Sequence, residues 1–127
     1  MSEDPADRRA FVAWDIVRVE FPYAHQVVSR KRPALVVGSY DVDLRFSVLW
    51  VLMITSARHR MWPRDVAIAD LAAAGVSRPC FVRTEKIATV DSRFAKALGR
   101  LETQDRALVT QHLRSLLQDV LIVLKDP

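Results

Sequence analysis

The chain is poor in the residues that build redox, metal and nucleotide sites. One cysteine, Cys80, in 127 residues leaves no internal disulfide to form, so a reducing compartment is expected. Only three glycines are present, Gly38, Gly75 and Gly99, and no Gly-rich phosphate loop can be written from them. A nucleotide enzyme of the P-loop or Rossmann kind is thereby excluded. The three histidines, His25, His59 and His112, stand at no metal-ligand spacing and have no second cysteine to join, so no metal and no cofactor are expected. The longest apolar run, Val48 to Ile54, is seven residues. A bilayer span needs roughly 20, so no membrane segment is expected. Met1 to Arg9 is polar and acid-rich, unlike a secretory signal, and a cytoplasmic location follows as the expectation.

What is present is the makings of one core. Half of the residues are hydrophobic (50%), in a chain the length of a single domain, which excludes an intrinsically disordered protein. The charge is 19 Lys and Arg against 15 Asp and Glu, a net +4. Its distribution is uneven. Residues 30–64 hold Arg30, Lys31, Arg32, Arg45, Arg58, Arg60 and Arg64 against only Asp41 and Asp43, while the remainder is nearly balanced. Such a block suits a polyanionic partner; a solvated basic face is the alternative.

Residues 1–11 have the composition of a flexible tail, and 12–127 form one domain. Val17, Val19 and Phe21 alternate with Arg18 and Glu20, the period of a half-buried strand. Pro33 to Val37 reads as a strand buried on both faces, Gly38 to Leu44 as a turn, and Phe46 to Ile54 as the longest strand. Pro63 to Ala69 suggests another short strand, and Asp70 to Gly75 a single helical turn closed by its glycine. Arg78 to Arg83 and Glu85 to Val90 suggest two strands or one bent one. Toward the C-terminus, Val109, Leu113, Leu116, Leu117, Val120 and Leu124 make one helical stripe, with Thr103 as its expected cap and Asp105 in its first turn. The fold class expected is mainly β with a helix: a small barrel of five to seven short strands with the C-terminal amphipathic helix packed on it.

Chemistry-bearing residues cluster at the strand ends. Arg32 precedes one strand and Thr55-Ser56 follow another, while Arg83 and Glu85, two apart, share a strand face. Guanidinium groups match phosphate oxygens, hydroxyls bond a non-bridging oxygen, and a carboxylate accepts the proton of a ribose 2′-hydroxyl. The residues alone leave the alternatives open: Arg32 as a surface charge, Thr55 as a strand former, Arg83 and Glu85 as an exposed ion pair.

Asp15-Ile16-Val17-Arg18-Val19 with Phe21-Pro22, followed by Lys31-Arg32-Pro33-Ala34-Leu35-Val36-Val37, resembles the opening of the MazF/PemK/Kid toxin family. Met53-Ile54-Thr55-Ser56 is similar to that family's "P-I-T-S" strand end. Val82 to Asp91 resembles its "v-R-x-D-Q-i-R-T-i-D" stretch, and Leu98-Gly99-Arg100-Leu101 matches the run before its last helix. The resemblance spans residues 14–121. It implies an SH3-like barrel, a homodimer, an antitoxin protein partner and cleavage of single-stranded RNA without a metal, by attack of the 2′-hydroxyl to give a 2′,3′-cyclic phosphate. It also implies catalytic roles for Arg32 and Thr55 and, as in some members, proton transfer for Arg83 and Glu85. With Arg32 and Thr55 binding the phosphate and Glu85 as base, Arg83 is cast as a second clamp, because a guanidinium does not release its proton near neutral pH. Ser56, His25, Arg30, Lys31, Arg58, Arg60 and Lys86 are the expected RNA contacts, with His25 also a candidate to protonate the leaving group. Tyr23, Trp62 and Phe81 are candidates to stack on bases, and Trp50 is expected in the core. Four features depart from the family pattern: Glu85 stands in place of an aspartate and lengthens the carboxylate's arm by one methylene, Trp14 replaces a glycine, Ala88 replaces an arginine, and the loop from Tyr23 to Arg30 lacks the Gly-Glu-Gln pattern. A non-catalytic binder on the same barrel, acting for example on a topoisomerase, is the alternative.

Overall fold

Six strands and two helices follow in the order β1 (Asp15–Phe21), β2 (Arg30–Asp43), β3 (Phe46–Ser56), β4 (Asp65–Ala67), α1 (Leu71–Ala74), β5 (Cys80–Asp91), β6 (Ala95–Arg100) and α2 (Thr103–Lys125). This computed structural model describes residues 11–21 and 30–125. Tyr23, His25, Gln26 and Ser29 lie outside the described residues, as does the tail 1–10.

The strands form one antiparallel sheet in the order β4-β5-β3-β2-β1-β6. Its curl follows from the connection between β5 and β6. Four strand spacings separate these two in the sheet order, about 19 Å if the sheet were flat. The link from Asp91 to Ala95, a single 3-10 turn, reaches at most about 14 Å. The sheet must therefore bend round on itself. It does so without closing: β4 and β6 remain unpaired edges, so the expected class holds with an open, barrel-like sheet.

Both faces of the central strands are buried, which explains their continuous apolar runs. Ile16, Leu35, Leu52, Ile54, Val82, Leu101 and Val109 make one core under the helices. Val17, Val19, Ala34, Val36, Leu49, Val51 and Val90 make a second inside the curl.

Trp14 adopts φ 79°, the left-handed region. A side chain there costs roughly 1–2 kcal/mol, which accounts for the glycine common at this position in the similar family. The strain is held by Trp14 donating its N–H to the Val36 carbonyl (2.9 Å) and accepting from the Leu101 N–H (2.9 Å).

Several expectations are corrected. β2 does not turn at Gly38; it continues to Asp43, with a bulge between Val36 and Gly38. Tyr40 folds over Gly38, where an added Cβ would meet its ring at 2.7 Å, and Trp50 pairs with Gly38 across the ladder. Trp50 is consequently exposed beside Tyr40 (ring centroids 5.3 Å apart), not in the core. Residues 80–91 form one irregular strand, the single bent strand that is one of the two expected alternatives, whereas residues 95–100 form a strand that the sequence pattern does not announce. α1 matches expectation: Asp70 accepts from Ala73 N–H, and Gly75 closes it at φ 77°.

The C-terminal helix begins at Thr103, so Thr103 is not its cap; the Glu102 carbonyl receives the first N–H groups instead. Asp105 is buried and accepts from the Ala69 N–H at 2.9 Å, tying the helix start to the end of β4. Only the first half of α2 packs on the sheet. Val109 is fully buried, whereas exposure climbs from 46% at Leu117 to 73% at Leu124. By length and composition alone α2 is long and apolar enough to cross a membrane. Its anchored first half and the Arg114, Gln118 and Asp119 side chains within it fit a docking helix better, because Arg or Asp at the centre of a span costs roughly 2.5–3.5 kcal/mol each.

Candidate active site

The β2–β3 ladder ends at the Ala34–Met53 pair, next to Pro33, which has no N–H to contribute. β1–β2 pairing runs on to Phe21–Arg30, and β3–β5 pairing runs on to Ser56–Cys80. The sheet thus splits into two ribbons, and a groove of about 930 Å³ opens at the split. Counting two residues past the Ala34–Met53 pair on each strand brings Arg32 opposite Thr55, and both line the groove.

The rest of the lining comes from two loops. Ser56 ends β3, Arg58 and His59 follow it, and Ser77, Arg78 and Pro79 precede β5, with Arg18 of β1 completing the basic wall. The two loops are joined by the Ala57 N–H, which donates to the Pro79 carbonyl at 3.0 Å. The 56–59 segment is a tight turn: the His59 N–H donates to the Ser56 carbonyl (3.0 Å), and the Arg58 N–H donates to Ser56 Oγ (3.2 Å). Four arginines and no carboxylate are among the described lining residues, so the groove is strongly cationic. Cys80 is among the lining residues, and burial raises its thiol above its ordinary range and keeps it neutral.

Not every expected site residue meets here. Arg32, Thr55, Ser56 and Arg58 do; Arg83, Glu85, Lys86, Arg60 and Lys31 do not line the groove. Arg83 is buried, grips Asp65 with two nitrogens (Nη2 to Oδ2 2.8 Å, Nε to Oδ1 3.1 Å), and donates to the Arg60 carbonyl at 2.7 Å. Its guanidinium stacks 3.9 Å from the Trp62 ring centroid. Thr84 Oγ1 donates to the Arg64 carbonyl (2.8 Å), and Glu85 pairs with Arg64 (3.2 Å). Three consecutive residues of β5 therefore clamp the loop 60–65. Arg83 is occupied as a structural cation, and Glu85 is held by Arg64 with its other oxygen, Oε1, buried and unpartnered. Lys31 and Lys86 are exposed on their strands, and Arg30 has its backbone in β2. His25 lies outside the described residues.

Sequence reasoning missed Arg18, His59 and Arg78 as groove residues. Arg18 was legible as an outward residue of β1, but nothing local marked His59 or Arg78, because their loops meet only through the fold.

Residues 13–117 match the family of PemK-like, MazF-like toxins of type II toxin–antitoxin systems. The chain belongs to this toxin family. Its fold is similar to that of two crystal structures of MazE–MazF from Deinococcus radiodurans. Form II aligns with TM-score 0.66 and 21% identity, covering 87% of this chain and 97% of that one. Form III aligns with TM-score 0.64 and 21% identity, covering 87% and 98%. Among curated proteins, none matches. As a MazF-like toxin, the chain carries its arginine-rich groove where the sheet's two ribbons part.

Proposed function

We propose that this MazF-like toxin is an endoribonuclease that cuts single-stranded RNA in the groove between the two ribbons. The observation that carries this reading is the convergence of Arg32 and Thr55, remote in sequence, on one cationic groove with room for an unpaired nucleotide. The 2′-hydroxyl beside the scissile phosphate attacks phosphorus, the bond to the 5′-oxygen breaks, and the products carry a 2′,3′-cyclic phosphate and a 5′-hydroxyl. This internal attack needs neither a water nucleophile nor a metal. Arg32 offers a forked set of donors to the oxygens that gain charge in the phosphorane, and Thr55 Oγ1 donates to one of them. Removing one preorganised donor of this kind costs about 3–4 kcal/mol of transition-state stabilisation, or 10²–10³ in rate. Ser56, Arg18, Arg58 and Arg78 hold the flanking phosphates, which makes binding fall steeply with salt.

Two partners accompany the reading. The MazE–MazF structures support a cognate antitoxin protein. The apolar end of α2, where Leu117, Val120, Leu121 and Leu124 continue the stripe begun by buried Val109, supports a homodimer, because a monomer would leave that stripe in water. The test is incubation of the purified toxin with an unstructured RNA in EDTA. Cleavage by the wild type, lost in Arg32→Ala and in Thr55→Ala while both variants melt as wild type does, supports the proposal. RNA left intact over a wide range of sequences refutes it and leaves a binding role for the groove.

A further inference from the structure

The groove lacks the base that the sequence suggested. Glu85, the expected acceptor of the 2′-hydroxyl proton, is held by Arg64 on β5 and does not line the groove. The described groove residues include four guanidinium groups, Arg18, Arg32, Arg58 and Arg78, which do not release or take protons near neutrality, and the hydroxyls of Thr55, Ser56 and Ser77. The Cys80 thiol is kept protonated by burial. Among the described groove residues His59 is the remaining ionisable group, and imidazole is the one side chain that ordinarily exchanges protons between pH 5 and 8. Its position is fixed at the backbone. The turn Ser56 to His59 is closed by two hydrogen bonds and fastened to the opposite loop through Ala57 and Pro79, so the backbone that carries His59 is held at the end of β3, and His59 lines the same groove as Thr55. Its side chain is exposed, and so accessible to RNA.

We infer that His59 is the general base of this groove. The inference rests on the nuclease reading above. Neutral imidazole takes the proton of the 2′-hydroxyl as the 2′-oxygen bonds to phosphorus. The bond from phosphorus to the 5′-oxygen breaks, its electron pair stays on that oxygen, and solvent water protonates it. The hydroxide so formed takes the proton back from the imidazolium, and the enzyme is restored. No redox change and no further reactant is involved.

The pH dependence of kcat/KM on a short single-stranded RNA tests this, with wild type, His59→Gln, His59→Ala, Glu85→Gln and Arg32→Ala compared over pH 5–9. Wild type and Glu85→Gln are expected to share a rising limb in the range of a histidine. His59→Gln is expected to lose that limb and 10²–10⁴ in kcat, with KM within about threefold. Added imidazole is expected to restore part of the activity of His59→Ala and none to Arg32→Ala. A His59→Gln protein within threefold of wild type and with the same pH profile, alongside an inactive Arg32→Ala, overturns the role of His59 and leaves the nuclease reading standing. A wild type that cuts no RNA overturns both.

Discussion

Replacing Arg83 tests the distinction between a residue that holds the fold and one that holds the substrate. In Arg83→Ala, the Asp65 carboxylate, fully buried as a side chain, keeps its bond from the Trp62 N–H (2.8 Å) but loses its cation, and the Arg60 carbonyl loses its donor. Removing one partner of a buried ion pair destabilises by about 3–5 kcal/mol. A 127-residue domain has an unfolding entropy near 0.27 kcal/mol/K, so Tm is expected to drop by roughly 10–20 °C. Thermal melts followed by circular dichroism measure this directly. Replacing both partners by apolar residues, Arg83→Met with Asp65→Leu, is expected to recover much of the loss, because neither charge is then stranded. If Arg83→Ala instead melts as wild type does and fails only in RNA cleavage, the structural assignment is wrong and Arg83 acts on the substrate.

Three further outcomes follow from the same structure. In Gly75→Ala a side chain is forced to φ 77° with its Cβ 2.1 Å from the Leu98 carbonyl oxygen, so a loss of at least about 1–2 kcal/mol is expected in urea unfolding. Leu121→Glu places a charge on the exposed apolar end of α2; sedimentation is expected to show a dimer for wild type and a monomer for the variant, with Tm of the monomer little changed. Because burial raises the folded Cys80 thiol above its unfolded value, its contribution is complete below about pH 8.5 and is lost as pH rises toward the raised value. Unfolding free energy is therefore expected to fall above about pH 8.5 in wild type and less so in Cys80→Ala, as read from urea titrations at pH 7 to 10.

How legible all this was depends on how local each signal is. β1, β3, α1 and the first half of α2 were readable because period, caps and glycine stops act within a few residues. The extension of β2 past Gly38 was hidden: a glycine followed by Asp41 and Asp43 reads as a turn, while the bulge and the Tyr40–Trp50 cover that keep the strand going require the partner strand. The same cover explains why Trp50 is exposed. β6 is short and carries no apolar alternation, so its pairing with β1 is a tertiary fact. At the site, Arg32 and Thr55 were marked by the Arg-Pro and Ile-Thr strand ends, and Pro33 stands where the ladder stops. Arg83 and Glu85 were visible as a pair on one strand face, but not the loop 60–65 that engages both. His59 carried no signal at all, because its place in the groove is made by the turn from Ser56 and by the bond from Ala57 to Pro79.

The central claim is that Arg32 and Thr55 direct internal attack on RNA at the ribbon split. Mass spectrometry of the fragments of a short single-stranded RNA, cut by the wild-type toxin in EDTA, reads this most directly. The account predicts a 2′,3′-cyclic phosphate on one fragment and a 5′-hydroxyl on the other, with neither produced by Arg32→Ala. Fragments ending in a 3′-hydroxyl and a 5′-phosphate would contradict it, since those ends require an external nucleophile.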